Sequence, residues 1–334
     1  MYEDVDYMAL MTGRPLKGQK LSDTKAFLAA LGLGWEEGIE TTVNWVENMT
    51  ICATASREGK VLKCIGVSPE HQGEGLTAPL ITELVKDGFD EGFQNLFLYT
   101  KPQNNMLFSE FGFETVAAVK EASLMEYPQG GINKFISALK VHDVKGKIGA
   151  IVANCNPFTN GHLYLIEQAA AACDFLYLFI LSEDKSEFSA SARMNLVKEG
   201  TAHIKNIAIY PTGDYLVSSA TFPQYFLKNK ESAGQVQCEL DLSIFAKYFA
   251  PYFGINTRFV GTEPHSALTL AYNRQMMSFL PEQNIEVIEI PRKEIDGEAI
   301  SASRVRALLK DAKYDQIKAL VPITTFEYLE KLAK

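Results

Sequence analysis

Two uninterrupted apolar runs, Ile148 to Ala153 and Phe175 to Leu181, constrain this chain more than any other feature in it. A strand with water on one face alternates apolar and polar residues. A strand without polar positions is buried on both faces, which is the condition of a parallel sheet sandwiched between helices. Between the two runs, Leu163, Ile166, Ala170 and Cys173 recur at three- and four-residue steps, so a helix is expected over about Gly161 to Cys173. The alternation continues with a helix around Ala190 to Ala202, strands near Ile207 to Tyr210 and Arg258 to Gly261, a helix from about Ser266 to Phe279, a strand at Glu286 to Ile290 and helices beyond. That order predicts an α/β doubly wound parallel sheet.

The sheet needs only part of the chain. At roughly 100 to 200 residues per domain, the 334 residues favour two domains. Tyr127-Pro128-Gln129-Gly130-Gly131 interrupts any periodic element and Lys145-Gly146-Lys147 precedes a fresh apolar strand, so the expected division is residues 1–127, a linker 128–146, and 147–334. Upstream the signal is mixed. Ile51 to Ala55 and Val61 to Val67 read as neighbouring antiparallel strands, Leu76 to Gly88 as a helix and Asn95 to Tyr99 as a strand, which is an α+β pattern.

Charge and cysteine usage exclude several partners. Lys and Arg number 32 against 41 Asp and Glu, a net charge of −9, so the long-range field repels nucleic-acid backbones and anionic membranes. An anionic ligand must therefore be met by a local pocket. The five cysteines contain no C-x-x-C pair, so neither a disulfide framework nor a structural zinc site is expected, and no metal ligand set is assigned. The acidic start, Met1-Tyr2-Glu3-Asp4-Val5-Asp6, is unlike a signal peptide, and Phe175 to Leu181 is too short to span a bilayer, so a cytoplasmic location is expected. On that reading the sequon Asn48-Met49-Thr50 is accidental.

In open α/β sheets, ligands sit beyond the carboxyl ends of the strands, where helix N-termini present free N–H groups to anions. The first such turn is Asn154-Cys155-Asn156-Pro157-Phe158-Thr159-Asn160-Gly161-His162. It is neither a dinucleotide fingerprint nor a Walker A loop, and the near miss at Gly13 to Gln19 has Gln19 where a lysine belongs. It carries a hydroxyl and an imidazole three residues apart around a glycine. Gly161 would let a phosphate approach the backbone, with Thr159 and His162 as donors; alternatively Thr159 merely caps the helix. After the last strand stands Ile300-Ser301-Ala302-Ser303-Arg304-Val305-Arg306, two hydroxyls and two guanidiniums at another helix start. Cations are unfavourable there, so an anion explains them better.

This pair of signatures resembles the nucleotidyltransferases of the H-x-G-H superfamily, over roughly Lys147 to Leu309, and implies a Rossmann-like domain. The first signature is in the T-x-G-H form of phosphopantetheine adenylyltransferases, so only His162 can supply an imidazole. In the second, Ala302 and Ser303 replace the usual serine and threonine. Phe188-Ser189, Arg193 and Val260-Gly261-Thr262-Glu263-Pro264 extend the likeness, and Lys185 is a weaker phosphate candidate in a charged loop.

In the amino-terminal half, Val67-Ser68-Pro69-Glu70-His71-Gln72-Gly73-Glu74-Gly75-Leu76 leads from a strand into a helix, and its glycines would expose N–H groups to a pyrophosphate. With Leu98-Tyr99-Thr100, Asn104-Asn105 and Phe108-Ser109-Glu110-Phe111-Gly112-Phe113, it resembles the GNAT-type N-acetyltransferases. Gln72 and Gly75 match that family's acyl-CoA loop; Thr77 departs from its last small position, and Phe111 stands near where many members carry a tyrosine acid. His71 is expected as an exposed loop residue.

Both halves in this order and at this length resemble the acetate-dependent citrate lyase ligases. The resemblance implies formation of acetyl-adenylate from ATP, as its Mg²⁺ complex, and acetate, then transfer to the thiol of a dephospho-coenzyme A-like prosthetic group on the acyl carrier subunit of citrate lyase, with AMP and pyrophosphate released. It implies catalytic roles for His162, Thr159 and Arg306; ATP contacts from Asn156, Pro157, Phe158, Gly161, Gly261, Thr262, Glu263, Ser301 and Ser303; and prosthetic-group or coenzyme A contacts from Val67, Gln72, Gly73, Gly75 and Asn104. Cys155 is expected to be inert core rather than an acyl carrier. Two other readings stay open on the residues alone: an adenylyltransferase acting on nicotinamide mononucleotide or phosphopantetheine, fused to an independent N-acetyltransferase, and a non-catalytic acyl-CoA or nucleotide sensor.

Overall fold

A computed structural model describes residues 8–182, 186–216, 222–227, 233–263 and 266–332. Lys185, Pro264 and the acidic start lie outside the described residues. The chain forms two units: residues 1–134 with 222–236, and 135–221 with 237–334. The second unit was expected to run unbroken from 147, but residues 222–236 cluster with the first. Within that unit the Glu36 carboxylate accepts from the backbone N–H groups of Gln224 (2.5 Å) and Tyr225 (3.0 Å).

The first unit carries a seven-stranded mixed sheet. Its elements are β1 (Met8–Gly13), α1 (Gly18–Ala30), β2 (Thr41–Glu47), β3 (Thr50–Glu58), β4 (Val61–Val67), α2 (Thr77–Asp90), β5 (Leu96–Thr100), α3 (Asn105–Glu110), β6 (Glu114–Ala118) and β7 (Ser123–Tyr127). Strand order is β1-β2-β3-β4-β5-β7-β6. Every neighbouring pair is antiparallel except β4 and β5, which run parallel and pair only at Val61 with Phe97 and Leu62 with Leu98. Beyond those two pairs the strands part. Leu80, Ile81 and Leu84 of α2 bury one helical face against Val43, Ala53, Ala55, Leu62 and Leu98 of the sheet. On α1, Thr24 accepts from the Asn44 amide at 2.8 Å, and Asn44 in turn accepts from Thr54 at 2.6 Å, so this buried polar chain is satisfied rather than left bare.

Helix α4 (Gly131–Ser137) crosses the boundary between the units. The second unit then continues with β8 (Ile148–Ala153), α5 (Asn160–Ala171), β9 (Phe175–Ile180), α6 (Ala190–Gly200), β10 (Ile207–Pro211), α7 (Ala233–Ile244, beginning in the first unit), a π-helical turn at Phe245–Phe249, α8 (Ala250–Phe253), β11 (Thr257–Gly261), α9 (Ala267–Glu282), β12 (Glu286–Ile290), the short β13 (Glu294–Ile295) and β14 (Glu298–Ala299), α10 (Ala302–Lys310), α11 (Tyr314–Leu320) and α12 (Ile323–Leu332). The five long strands are all parallel in the order β10-β9-β8-β11-β12, the doubly wound arrangement whose order reverses at β8. β9 is buried at every position, as its lack of alternation requires. The hairpin of β13 and β14 falls where helices were expected; two-residue strands are too short to show a period. Among the described residues no helix is long and apolar enough to cross a membrane.

Candidate functional site

Four helices of the second unit begin on a Ser or Thr whose oxygen accepts the backbone N–H three residues on: Thr159, Ser189, Ser266 and Ser301. Each satisfies one otherwise unpaired donor of the first turn. At α5 the cap is reciprocal. The Thr159 oxygen accepts from the His162 N–H at 3.3 Å, and the Thr159 N–H donates to His162 Nδ1 at 3.1 Å. A backbone N–H can only donate, so Nδ1 carries no proton and the neutral imidazole holds its proton on Nε2. Burial, with a smaller contribution from the Arg292 charge, pulls the His162 pKa down to about 4. The ring is thus a neutral N–H donor across the physiological range. Thr159 was expected to bind phosphate itself, but it is 1 % exposed and its hydroxyl lies 2.9 Å from Nδ1, so its geometry serves to aim the imidazole. Phe158 stacks near the His162 ring at 15° between planes and is wholly buried.

The two signatures, about 140 residues apart, meet here. A Cβ on Gly161 would stand 2.9 Å from the Ile300 carbonyl oxygen, so Gly161 is required by the close approach of the chain just before α10. From α10, Arg306 Nη1 donates to the Asn156 carbonyl, and its Nε stands 3.7 Å from Glu187. The Asn156 side chain accepts from the Phe188 N–H at 3.1 Å. Ser301 is the α10 cap, and its oxygen lies 3.0 Å from that of Ser303. Pro157 is buried in the same turn.

The end of β11 joins this side of the sheet through β12. The Thr262 N–H donates to the Ile290 carbonyl at 3.0 Å, the Arg292 N–H to the Thr262 hydroxyl at 3.0 Å, and Arg292 Nε to the Thr262 carbonyl at 2.6 Å. Glu263 is expected to border a nucleoside; its carboxylate forms an ion pair with Arg292 and accepts from the Ser266 N–H at 3.0 Å. Asn273 Nδ2 donates to the Gly261 carbonyl at 3.0 Å, and a Cβ on Gly261 would meet nothing closer than 3.9 Å. Arg292 was not singled out in the sequence, because it stands two positions past the end of β12 and not at a helix start, where the other anion candidates were sought. Arg193 is fully buried and donates to the carbonyls of Asn154, Leu181 and Phe188 at 2.8 to 3.0 Å, tying together the loops after β8 and β9. Cys155 is 1 % exposed and burial pushes its thiol up to about 12, so it stays protonated and inert.

The first unit holds its candidates differently. Gly73 and Gly75 adopt φ of +91° and +78°, conformations that favour glycine, and a Cβ on either would meet nothing within 4 Å. Gln72 is exposed beside them, Val67 ends β4, and Asn104 Nδ2 donates to the Thr100 hydroxyl at 3.0 Å. His71 is not the exposed loop residue expected: it is half-buried, with Nδ1 2.6 Å from the Ser68 hydroxyl and Nε2 3.1 Å from Glu47. The parting of β4 and β5 is filled from residue 225. Phe97 N–H donates toward β4, to the Lys60 carbonyl at 2.8 Å, so alternation turns the Tyr99 carbonyl to that same edge, where it accepts from the Tyr225 hydroxyl at 3.1 Å. Tyr225 is held in turn by its carbonyl, which accepts from the Gly34 N–H at 3.0 Å.

Residues 148–329 match the family model of the citrate lyase ligase C-terminal domain. The citrate (pro-3S)-lyase ligase of Escherichia coli K12 is 38% identical over 323 residues, covering 95% of this chain and 92% of that protein. The Klebsiella pneumoniae citrate (pro-3S)-lyase ligase is 44% identical over 282 residues, covering 83% and 82%. The Haemophilus influenzae citrate (pro-3S)-lyase ligase is 40% identical over 324 residues, covering 95% and 97%. With two signatures meeting at one turn and similarity along nearly its whole length, the chain belongs to the citrate lyase ligase family.

Proposed function

We propose that the protein is an AMP-forming acid–thiol ligase that acetylates the thiol prosthetic group carried by the acyl carrier subunit of citrate lyase, using acetate and ATP. The observation that carries this reading is the meeting of the T-x-G-H turn with the start of α10, where Arg306 reaches the Asn156 carbonyl and Gly161 packs on Ile300. Full-length similarity to citrate lyase ligases supports the acceptor. It also disfavours an adenylyltransferase fused to an unrelated acetyltransferase.

An acetate oxygen attacks the α-phosphorus of ATP, the bond to the β-phosphate oxygen breaks, and pyrophosphate leaves; ATP enters as its magnesium complex, a substrate. The thiol then attacks the acetyl carbonyl, AMP leaves, and the thiol proton is released. Such chemistry needs positioning and charge neutralisation more than covalent help. In this reading His162 donates its Nε2 proton to an α-phosphate oxygen without titrating, and Thr159 holds the ring. Ser301, Ser303 and Arg306 face the departing pyrophosphate; Asn156, Pro157, Phe158 and Gly161 shape the turn; Gly261, Thr262 and Glu263, fastened by Arg292, border the nucleoside. Val67, Gln72, Gly73, Gly75 and Asn104 receive the prosthetic arm. The five unpaired cysteines fit a reducing, cytoplasmic setting.

The test is pyrophosphate release from ATP with and without acetate. Release of AMP and pyrophosphate only when acetate is present is expected; a dinucleotide formed from a phosphate-bearing acceptor, or no release at all, contradicts the ligase.

A further inference from the structure

β11 alternates two faces. Phe259 joins the core shared with Ile166 and Ala169 of α5, whereas Arg258, one residue earlier, turns to the opposite face of the sheet and stacks on Phe245 of the π-helical turn, its guanidinium carbon 4.5 Å from the ring centre. Arg258 is 4 % exposed. Its Nε and Nη1 are enclosed and donate to no acceptor among the described residues. Near it, the Tyr272 hydroxyl donates to Asp241 Oδ2; Asp241 is buried and Tyr272 half-buried. A guanidinium does not neutralise itself by losing a proton; the Asp241 charge acts on it, but Nε and Nη1 remain without acceptors, and burying such groups is costly unless a further acceptor reaches them.

Arg258 lies on the strand that leads to the proposed nucleotide-bordering segment. Three residues further along β11, the Gly261 carbonyl receives Asn273, the neighbour of Tyr272 on α9, and Thr262 and Glu263 follow directly. We propose that Arg258 is the anchor of the carboxylic-acid substrate: its free N–H groups bind the acetate carboxylate beneath the strand end that borders the nucleotide, with Phe245 covering the guanidinium face. This rests on the ligase reading and adds to it the residue that selects a small carboxylate. The guanidinium supplies hydrogen bonds that fix the acid's orientation, and the aromatic cover leaves little room for a long acyl chain.

The test compares wild type with Arg258→Lys and Arg258→Gln in acetate-dependent ATP–pyrophosphate exchange, varying acetate and ATP separately. Loss of a charge-assisted contact predicts that KM for acetate rises about 10- to 100-fold, less for Lys than for Gln, while KM for ATP stays within about twofold. An unchanged KM for acetate, or equal increases for acetate and ATP, overturns the anchor. A second arm uses wild-type protein alone, so that it does not depend on the variants folding: hydrogen exchange of the peptides spanning 238–249 and 257–261, in sodium acetate against sodium chloride at equal ionic strength. Slower exchange in acetate supports the site and identical exchange overturns it. If wild-type enzyme shows no acetate-dependent exchange of pyrophosphate, the ligase reading falls, and the hydrogen-exchange arm still decides whether Arg258 holds a carboxylate.

Discussion

The T-x-G-H turn and the Gln72–Thr77 loop both lead from a strand into a helix through glycine, yet they are built on opposite principles. The first is braced from within: Thr159 and His162 hold each other, Gly161 has a carbonyl at its back, and Arg306 reaches across from a helix about 140 residues later in the chain. At the second, Gly73 and Gly75 face open space. Adenylation needs donors aimed at a transition state, which rewards a rigid and cross-braced turn. Receiving a prosthetic arm brought by another protein needs access, which rewards an exposed one. In our reading this contrast marks the division between a chemical step and a docking step.

The strongest way to break the comparison is His162→Ala. Removing a donor aimed at developing phosphate charge is expected to lower acetate-dependent ATP–pyrophosphate exchange by about 10²- to 10³-fold, ~2.7 to 4 kcal/mol, with circular dichroism unchanged. Near-normal exchange in the folded variant would remove His162 from the mechanism. Arg306→Lys should follow at about 10- to 100-fold, because an ammonium cannot both bond the Asn156 carbonyl and present a planar fork to pyrophosphate; full activity with Lys would mean that position needs only charge.

The docking side is probed by replacing Gly73 and Gly75 together with Val. Positive φ disfavours Val and its branches occupy the open space, so transfer of acetyl to the carrier thiol should fall about tenfold or more while pyrophosphate exchange changes by less than about twofold. Equal loss of both steps would mean that the loop braces the fold and is not a docking surface.

The smallest effect is on pH. Because His162 titrates near pH 4 when folded and near its ordinary 6.5 when unfolded, the unfolded chain binds more protons between those values. Its contribution to stability is therefore present above about pH 6.5 and lost as pH falls toward 4. Urea unfolding at pH 7 and pH 5 should show wild type losing more stability than His162→Asn over that interval; equal losses would mean the imidazole is not held neutral.

Much of this was legible in the sequence. Unbroken apolar runs marked β8 and β9, three- and four-residue steps marked α5, and Thr159 could be read as its cap, because each of these is set by contacts within one turn or by burial of a single strand. The T-x-G-H and S-A-S-R-V-R segments were visible as capped helix starts and candidate anion sites for the same local reason. The partners of these groups came from packing. Nothing local says that Glu263 pairs with Arg292, that Tyr225 caps a carbonyl 126 residues away where β4 and β5 part, or that Gly161 is needed for Ile300 rather than for phosphate alone. Nor does the sequence around an arginine reveal whether its N–H groups are answered: the fold surrounds Arg193 of α6 with carbonyls while leaving two nitrogens of Arg258 of β11 without an acceptor. A periodic pattern says which face is buried, but hydrogen-bond satisfaction depends on which distant groups the packing brings to within about 3 Å.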